Sequence, residues 1–252
     1  MERWFGKTTY QPFEAFSTSH ITVLIFFGIG FLYLILNYKR LQRQSTLYQI
    51  TRWGLFSILI ISEITYQAWT ITNSVWSFSE HVPLHLCGIA SIIAMLALWN
   101  RNKKLIKINF FIGIIPAFLA LITPELVNDY PHYRFWKFFM HHMSITWTSL
   151  FLVITSSVVI QFRSALKTFG ILNLYAVIVF FINRQIGSNY LYLSHTPTAS
   201  TPLDLLGDGV WYYIHLEILA FCVFLFLWII YKGVTYVSKN GNPHNTERSL
   251  DS

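Results

Sequence analysis

Apolar residues in this chain come in blocks of about 18–22, the length a helix needs to cross the hydrocarbon core of a bilayer. The blocks fall at 20–38, 54–73, 84–100, 105–123, 137–160, 168–183 and 211–231. Strands of an outer-membrane barrel would instead alternate over about ten residues. The pattern predicts an all-α integral membrane protein, a bundle of about seven transmembrane helices in a single polytopic domain over residues 1–238. No internal repeat or second domain is visible. The polar stretch 239–252 reads as a disordered tail.

Lysine and arginine set the orientation. Lys39, Arg40, Arg43 and Arg52 follow the first block, and 74–83 holds none. Arg101, Lys103, Lys104 and Lys107 follow the third block, and Arg134 stands alone in 124–136. Arg163 and Lys167 follow the fifth, 185–210 holds none, and Lys232, Lys239 and Arg248 close the chain. By the positive-inside rule the N-terminus lies outside and the C-terminus in the cytoplasm.

Composition supports the membrane reading. Of the 252 residues 54% are hydrophobic, 18% aromatic and 12% charged, with mean hydropathy +0.47. A soluble domain carries about 25% charge. The net charge of +7 sits in loops beside apolar blocks, so it reports topology rather than nucleic-acid binding. Residues 1–19 lack a basic-then-apolar signal pattern, and no cleavage is expected. Cys87 and Cys222 lie in different blocks, without disulfide-framework or metal-ligand spacing.

In this frame the titratable residues share one depth, the outer half. His81, His85 and Cys87 begin the third block, and His141 and His142 lie one to two turns into the fifth. Glu63 and Gln67 are on the second block, Asn183 and Arg184 end the sixth, and Asn189, His195, Asp204 and Asp208 occupy the next loop. His215 and Glu217 are on the seventh. Such groups are costly in lipid, so a common level points to a functional site.

The stretch 81–88 is its focus. Pro83 fits a first helical turn, which places Cys87 about one turn inside a helix near the interface. A thiolate there is a nucleophile, favoured by a helix N-terminus and a nearby imidazole. His85 is two residues away and faces elsewhere on a helix, so the base would come from the fifth block. His142 shares a face with Phe138 and Thr146, and His141 with Lys137 and Ile145; neighbours point about 100° apart, and the choice stays open. A small buried hydrophobe is the plain alternative for Cys87.

Other residues carry paired readings. His81 and His85 have an i,i+4 metal spacing, but no acid lies between them and no third ligand follows, so no metal is assigned. Glu63 is either a proton relay or a structural partner of Arg184 or a histidine, and Glu217 with His215 repeats that choice. His132 and Arg134, among the aromatics of 130–136, suit a lipid phosphate or a simple interfacial anchor.

Several stretches look familiar: FEAFS at 13–17 with His20, SEITYQ at 62–67, VPLHLC at 82–87, PHYRFWKFF at 131–139 leading into His142, and Asn189-Tyr190 followed by DLLG at 204–207. They resemble the YwaF-like bacterial integral membrane proteins and, remotely, the eukaryotic transmembrane acyltransferase that remodels ether phospholipids. That resemblance implies a cysteine–histidine acyltransferase of the bacterial cytoplasmic membrane, without cofactor. Carried over by position, Cys87 accepts an acyl chain from a glycerolipid and His142 is its base, with His141 and His85 as further catalytic candidates.

The expected function is therefore acyl transfer from a phospholipid, or from the lipid anchor of a lipoprotein, to an amine or hydroxyl, or to water. Arg134, His132, Arg184, Glu63, Asn189 and Glu217 are the candidate substrate contacts. A variant uses His85 or His142 as general base with Cys87 inert. A transporter or channel with a polar outer-half pathway is the rival class; Pro116 is the one mid-block breaker. No sequence feature excludes an assembly factor or receptor.

Overall fold

The computed structural model describes residues 1–197 and 201–240; every regular element in it is helical, and no strand occurs among the described residues. The helices are α1 (Glu2–Phe5), α2 (Thr18–Leu36), α3 (Tyr38–Arg43), α4 (Ser45–Thr72), α5 (Leu86–Asn100), α6 (Lys103–Gly113), α7 (Ile115–Ile122), α8 (Tyr133–Thr155), α9 (Phe162–Ile186) and α10 (Gly209–Asn240). The expectation of a disordered tail concerns residues that, from 241 onward, lie outside those described.

Six helices, rather than the expected seven, are long and apolar enough to cross a bilayer, with α6 and α7 together forming one of them. The seventh segment, α5, has 15 residues. It rises about 22 Å, short of a hydrocarbon core of roughly 30 Å.

The missing turns of α5 correct the expectation for Pro83. A residue before proline is pushed toward extended backbone, and the Leu84 N–H turns back on the Val82 carbonyl at 2.7 Å. The helix begins only after His85, its N-cap at φ −64°, ψ 157°. Cys87 is thus the second residue of α5, not a full turn inside it. His81 and His85 share no helix face, so the i,i+4 ligand geometry does not arise.

Side chains satisfy part of the irregular backbone of 78–85, as buried backbone at membrane depth requires. Tyr190 Oη donates to the Phe78 carbonyl at 2.6 Å and accepts from the Val82 N–H at 3.1 Å. Tyr175 Oη donates to the Leu84 carbonyl at 2.8 Å. Tyr190 is in turn tied to the end of α9: Asn183 accepts its N–H at 3.0 Å and donates to its carbonyl at 2.8 Å.

The far end of α5 is held from α4, which starts nine residues before the apolar block because its first turns are amphipathic. Arg52, 7% exposed, donates from Nε to the Leu98 carbonyl at 2.5 Å and from Nη2 to the Trp99 carbonyl at 2.7 Å. These are orphan carbonyls of a helix C-terminus, where a cation also suits the dipole.

Helix α8 is the central post. Of its most apolar stretch 61% is buried, against 11% for α10, and α2, α3, α4, α5, α6 and α7 all pack on it. Its buried face is unusually polar: His141, Ser144, Thr146, Thr148 and Ser149 are all sealed. Small and hydroxyl side chains let membrane helices approach closely. The break between α6 and α7 follows the same logic. Pro116 cannot continue the ladder behind it, and at Gly113 any Cβ would strike Ser149 Oγ on α8.

Candidate functional site

The start of α5, the last turns of α4, the first turns of α8 and the loop after α9 converge at one end of the bundle. Cys87 is half-buried against the main core. Its helix is uncapped, because the N-cap His85 makes no side-chain capping bond. The first-turn N–H groups of Leu86, Cys87 and Gly88 thus have no intrahelical acceptor and no other acceptor among the described residues. Gly88 is required here: an added Cβ would lie 2.6 Å from the Pro83 carbonyl oxygen, so only glycine lets the irregular segment fold against the helix start.

Around the thiol stand charged groups from other elements. Lys137, in the second turn of α8, is within electrostatic reach of Cys87, Glu63 and Arg134. Its Nζ lies 4.1 Å from the centroid of the Tyr66 ring. Glu63 Oε1 accepts from Gln67 Nε2 at 2.8 Å, and the same amide group donates to the His81 carbonyl at 2.9 Å. Tyr66 and His81 are ring neighbours at 5.9 Å.

His85 sits between two tyrosines, with ring centroids 5.1 Å from Tyr190 and 5.2 Å from Tyr192. Tyr192 Oη donates to Glu125. Burial pushes the Tyr192 phenol up, and its bond to Glu125 pushes in the same direction. Burial holds the His85 imidazole below its ordinary range, against the pull of Glu125. His81 is depressed by burial as well, with Glu80 opposing.

The two span-five histidines differ. His142 Nδ1 lies 2.7 Å from the Phe138 carbonyl, an acceptor only, so Nδ1 carries the hydrogen and Nε2 keeps its lone pair. That is the tautomer of a base held by a second group. His141, 2% exposed, is 3.1 Å from Ser62 Oγ through Nδ1. Both are on α8, which packs against α5. Neither forms a hydrogen bond with Cys87 among the described residues.

The remaining candidates have structural roles or stand apart. His132 caps α8 by accepting from the Arg134 N–H at 3.1 Å, and its Nε2 lies 2.8 Å from the Gly6 carbonyl. Arg134 stacks over Trp69 at 5.7 Å. Arg184 is exposed and lies over Phe180, and it forms no ion pair with Glu63 among the described residues. Asn189 organises its own loop, accepting from the Ser194 and His195 N–H groups. Glu217 has no hydrogen-bond partner among the described residues, and the exposed His215 meets the Leu206 carbonyl at 2.7 Å and stacks on Trp211 at 5.9 Å. His20, prominent in the familiar stretch near the N-terminus, is fully buried between the Phe16 N–H and the Leu121 carbonyl.

Glu125 and Tyr192 carry no signal in the sequence, while Lys137 stands there only as a face neighbour of His141 and Tyr190 only within a familiar stretch. Lys137 had a signal: a cation one turn before His141, inside an apolar block, is as anomalous in lipid as the histidines it precedes. The others sit in loops, where a tyrosine or a glutamate raises no alarm.

These features define a multi-pass membrane protein with a polar cluster at one end of its bundle. The TMEM164 family matches residues 15–228, and the chain belongs to that family of transmembrane proteins. The match is to the family as a whole and does not single out the bacterial group. Neither the curated proteins nor the solved structures contain a match.

Proposed function

We propose that the protein is an intramembrane acyltransferase with Cys87 as nucleophile. One observation carries this: a thiol on the second residue of an uncapped helix, with free N–H groups beside it and the Lys137 cation in reach. Backbone donors aimed at a developing oxyanion are usually the largest catalytic contribution to acyl transfer. Cys87 Sγ attacks the ester carbonyl of a glycerolipid, and its proton passes to His142 Nε2. The carbonyl oxygen takes the negative charge toward the first amides of α5. The tetrahedral adduct collapses, the lipid alcohol leaves with the proton from the imidazolium, and a thioester remains. An amine or hydroxyl acceptor then attacks the thioester, loses its proton to the imidazole and restores the thiol. Apo distances between nucleophile and base are often long and tighten on substrate binding.

The donor is a membrane phospholipid or the diacylglyceryl anchor of a lipoprotein, with Arg134 and Arg184 available to phosphate. Because lysine and arginine concentrate at the other end of the bundle, the reacting end faces outward from a bacterial cytoplasmic membrane. Mass spectrometry of the purified protein after incubation with phospholipid tests this. An acyl adduct on Cys87, absent from Cys87→Ala, is the expected result. Full lipid turnover by Cys87→Ala ends the thiol mechanism and, if His142→Ala or His85→Ala is dead, leaves general-base catalysis by histidine.

The α6–α7 break favours a second reading. Discontinuous helices pointing free termini into a bundle are a transporter feature, and Asn109 Oδ1 on α6 is buried there without a partner among the described residues. Solute flux into proteoliposomes that disappears in Glu63→Gln would select this class.

A further inference from the structure

An open cleft of about 530 Å³ runs between the start of α2, the N-terminal segment and the first turn of α8. Cys87 does not line it. Asp129 does, and this carboxylate is only 5% exposed. Its Oδ1 accepts from Ser19 Oγ and from the Tyr130 N–H, both at 2.6 Å. Its Oδ2 accepts from nothing among the described residues, yet it is not one of the sealed orphan atoms of the interior. A largely buried anion therefore keeps one oxygen for an outside donor.

The rest of the cleft matches one kind of molecule. Arg3, exposed and without a partner among the described residues, lines the same space. Tyr130 and Trp136 meet at 5.7 Å and 78°, and Trp4 closes on Tyr130 from another side at 6.5 Å. Such aromatic corners bind ammonium groups. Below Thr22, one turn along α2, the lipid-facing surface is purely apolar: Ile25, Phe26 and Ile29 are 59%, 54% and 62% exposed. The order down α2 is thus cation and anion, aromatic corner, then hydrocarbon surface.

We propose that this cleft holds a zwitterionic phospholipid, its ammonium on Asp129 and the aromatic corner, its phosphate on Arg3, and its chains along α2. The bound lipid is a resident of the bundle rather than the reacting molecule, so the site stands independently of the chemistry at Cys87.

Native mass spectrometry of the full chain in detergent, titrated with equal phosphatidylethanolamine and phosphatidylglycerol, reads this directly. The expected result is a preference for phosphatidylethanolamine of roughly tenfold, the scale of one charge-assisted hydrogen bond. Asp129→Asn keeps an acceptor for Ser19 and Tyr130 but should lose the preference. Should that variant fail to fold, Thr22→Trp decides: Thr22 is exposed on α2, and an indole there fills the cleft and should cut the adduct by a similar factor. Cys87→Ala should keep the preference. Equal adducts of the two lipids in the unaltered protein, or a preference that survives Thr22→Trp, would overturn the site and leave an ordinary aromatic belt.

Discussion

Adding one methyl group to different glycines of this bundle should give opposite signs. At Gly88 the new Cβ would sit 2.6 Å from the Pro83 oxygen, 2.8 Å from its carbonyl carbon and 2.9 Å from its Cα. All three are backbone atoms, which cannot swing aside as a side-chain tip can. Overpacking of this kind costs about 1–3 kcal/mol, while alanine regains at most about 1 kcal/mol of helix propensity. With the full gain the net loss for Gly88→Ala is up to about 2 kcal/mol, or as much as roughly 4–8 °C in Tm for a chain of this size. At Gly28 on α2 and Gly170 on α9 the same Cβ meets nothing within 4 Å. There only the propensity gain of up to about 1 kcal/mol remains, so both variants should melt slightly higher. Thermal unfolding of the three variants in one detergent compares them directly, and alkylation of Cys87 by a maleimide adds a local readout. Gly88→Ala should expose Cys87 to the reagent, because the irregular segment must move off the helix start. If Gly88→Ala melts with the other two and its Cys87 reacts at the unaltered rate, the close approach of Pro83 does not govern this site.

Arg52→Lys keeps the charge but cannot reach the Leu98 and Trp99 carbonyls with one fork; it should lose about 1.5–3 kcal/mol, seen as a lower Tm, and Arg52→Ala should lose at least as much. His81, His85 and His132 are all held below the ordinary histidine range, chiefly by burial. The unfolded chain therefore binds protons first as the pH drops below about 6.5, and stability should fall on acidification by up to about 1.4 kcal/mol per unit per histidine. His132→Asn keeps an α8 cap and should flatten the Tm–pH slope between neutrality and acid; an unchanged slope would contradict the assignment. Asn183→Leu removes both bonds to the Tyr190 backbone and should make the 188–197 loop the first point of protease cleavage, checked by mapping the early fragments.

The membrane class was visible in the sequence because apolar runs of about 18 residues match the thickness of a bilayer and exceed what a soluble core needs. The sequence groups Glu63, Gln67 and His81, and in the fold Gln67 joins Glu63 to the His81 carbonyl. The path of the chain between the second and third blocks was not visible. The block at 84–100 is as apolar as its neighbours, but its first turn depends on Tyr175 and Tyr190, about 90 and 110 residues away. Likewise the His132 ring pairs with the Gly6 carbonyl, a long-range contact that no local pattern encodes. Lys137 is masked for the opposite reason: the apolar pattern begins at it, whereas α8 begins four residues earlier at Tyr133.

The shortness of α5 leaves about 8 Å of bilayer depth to be covered by loop instead of helix. A loop, unlike a helix, leaves some of its amides free to bond elsewhere, so water can follow it part of the way down while hydrocarbon tails press in from the side. The N-terminus of α5 thus sits where the two phases overlap, and a greasy reagent and a hydrophilic one can reach the same atom there without either having to leave the solvent that suits it.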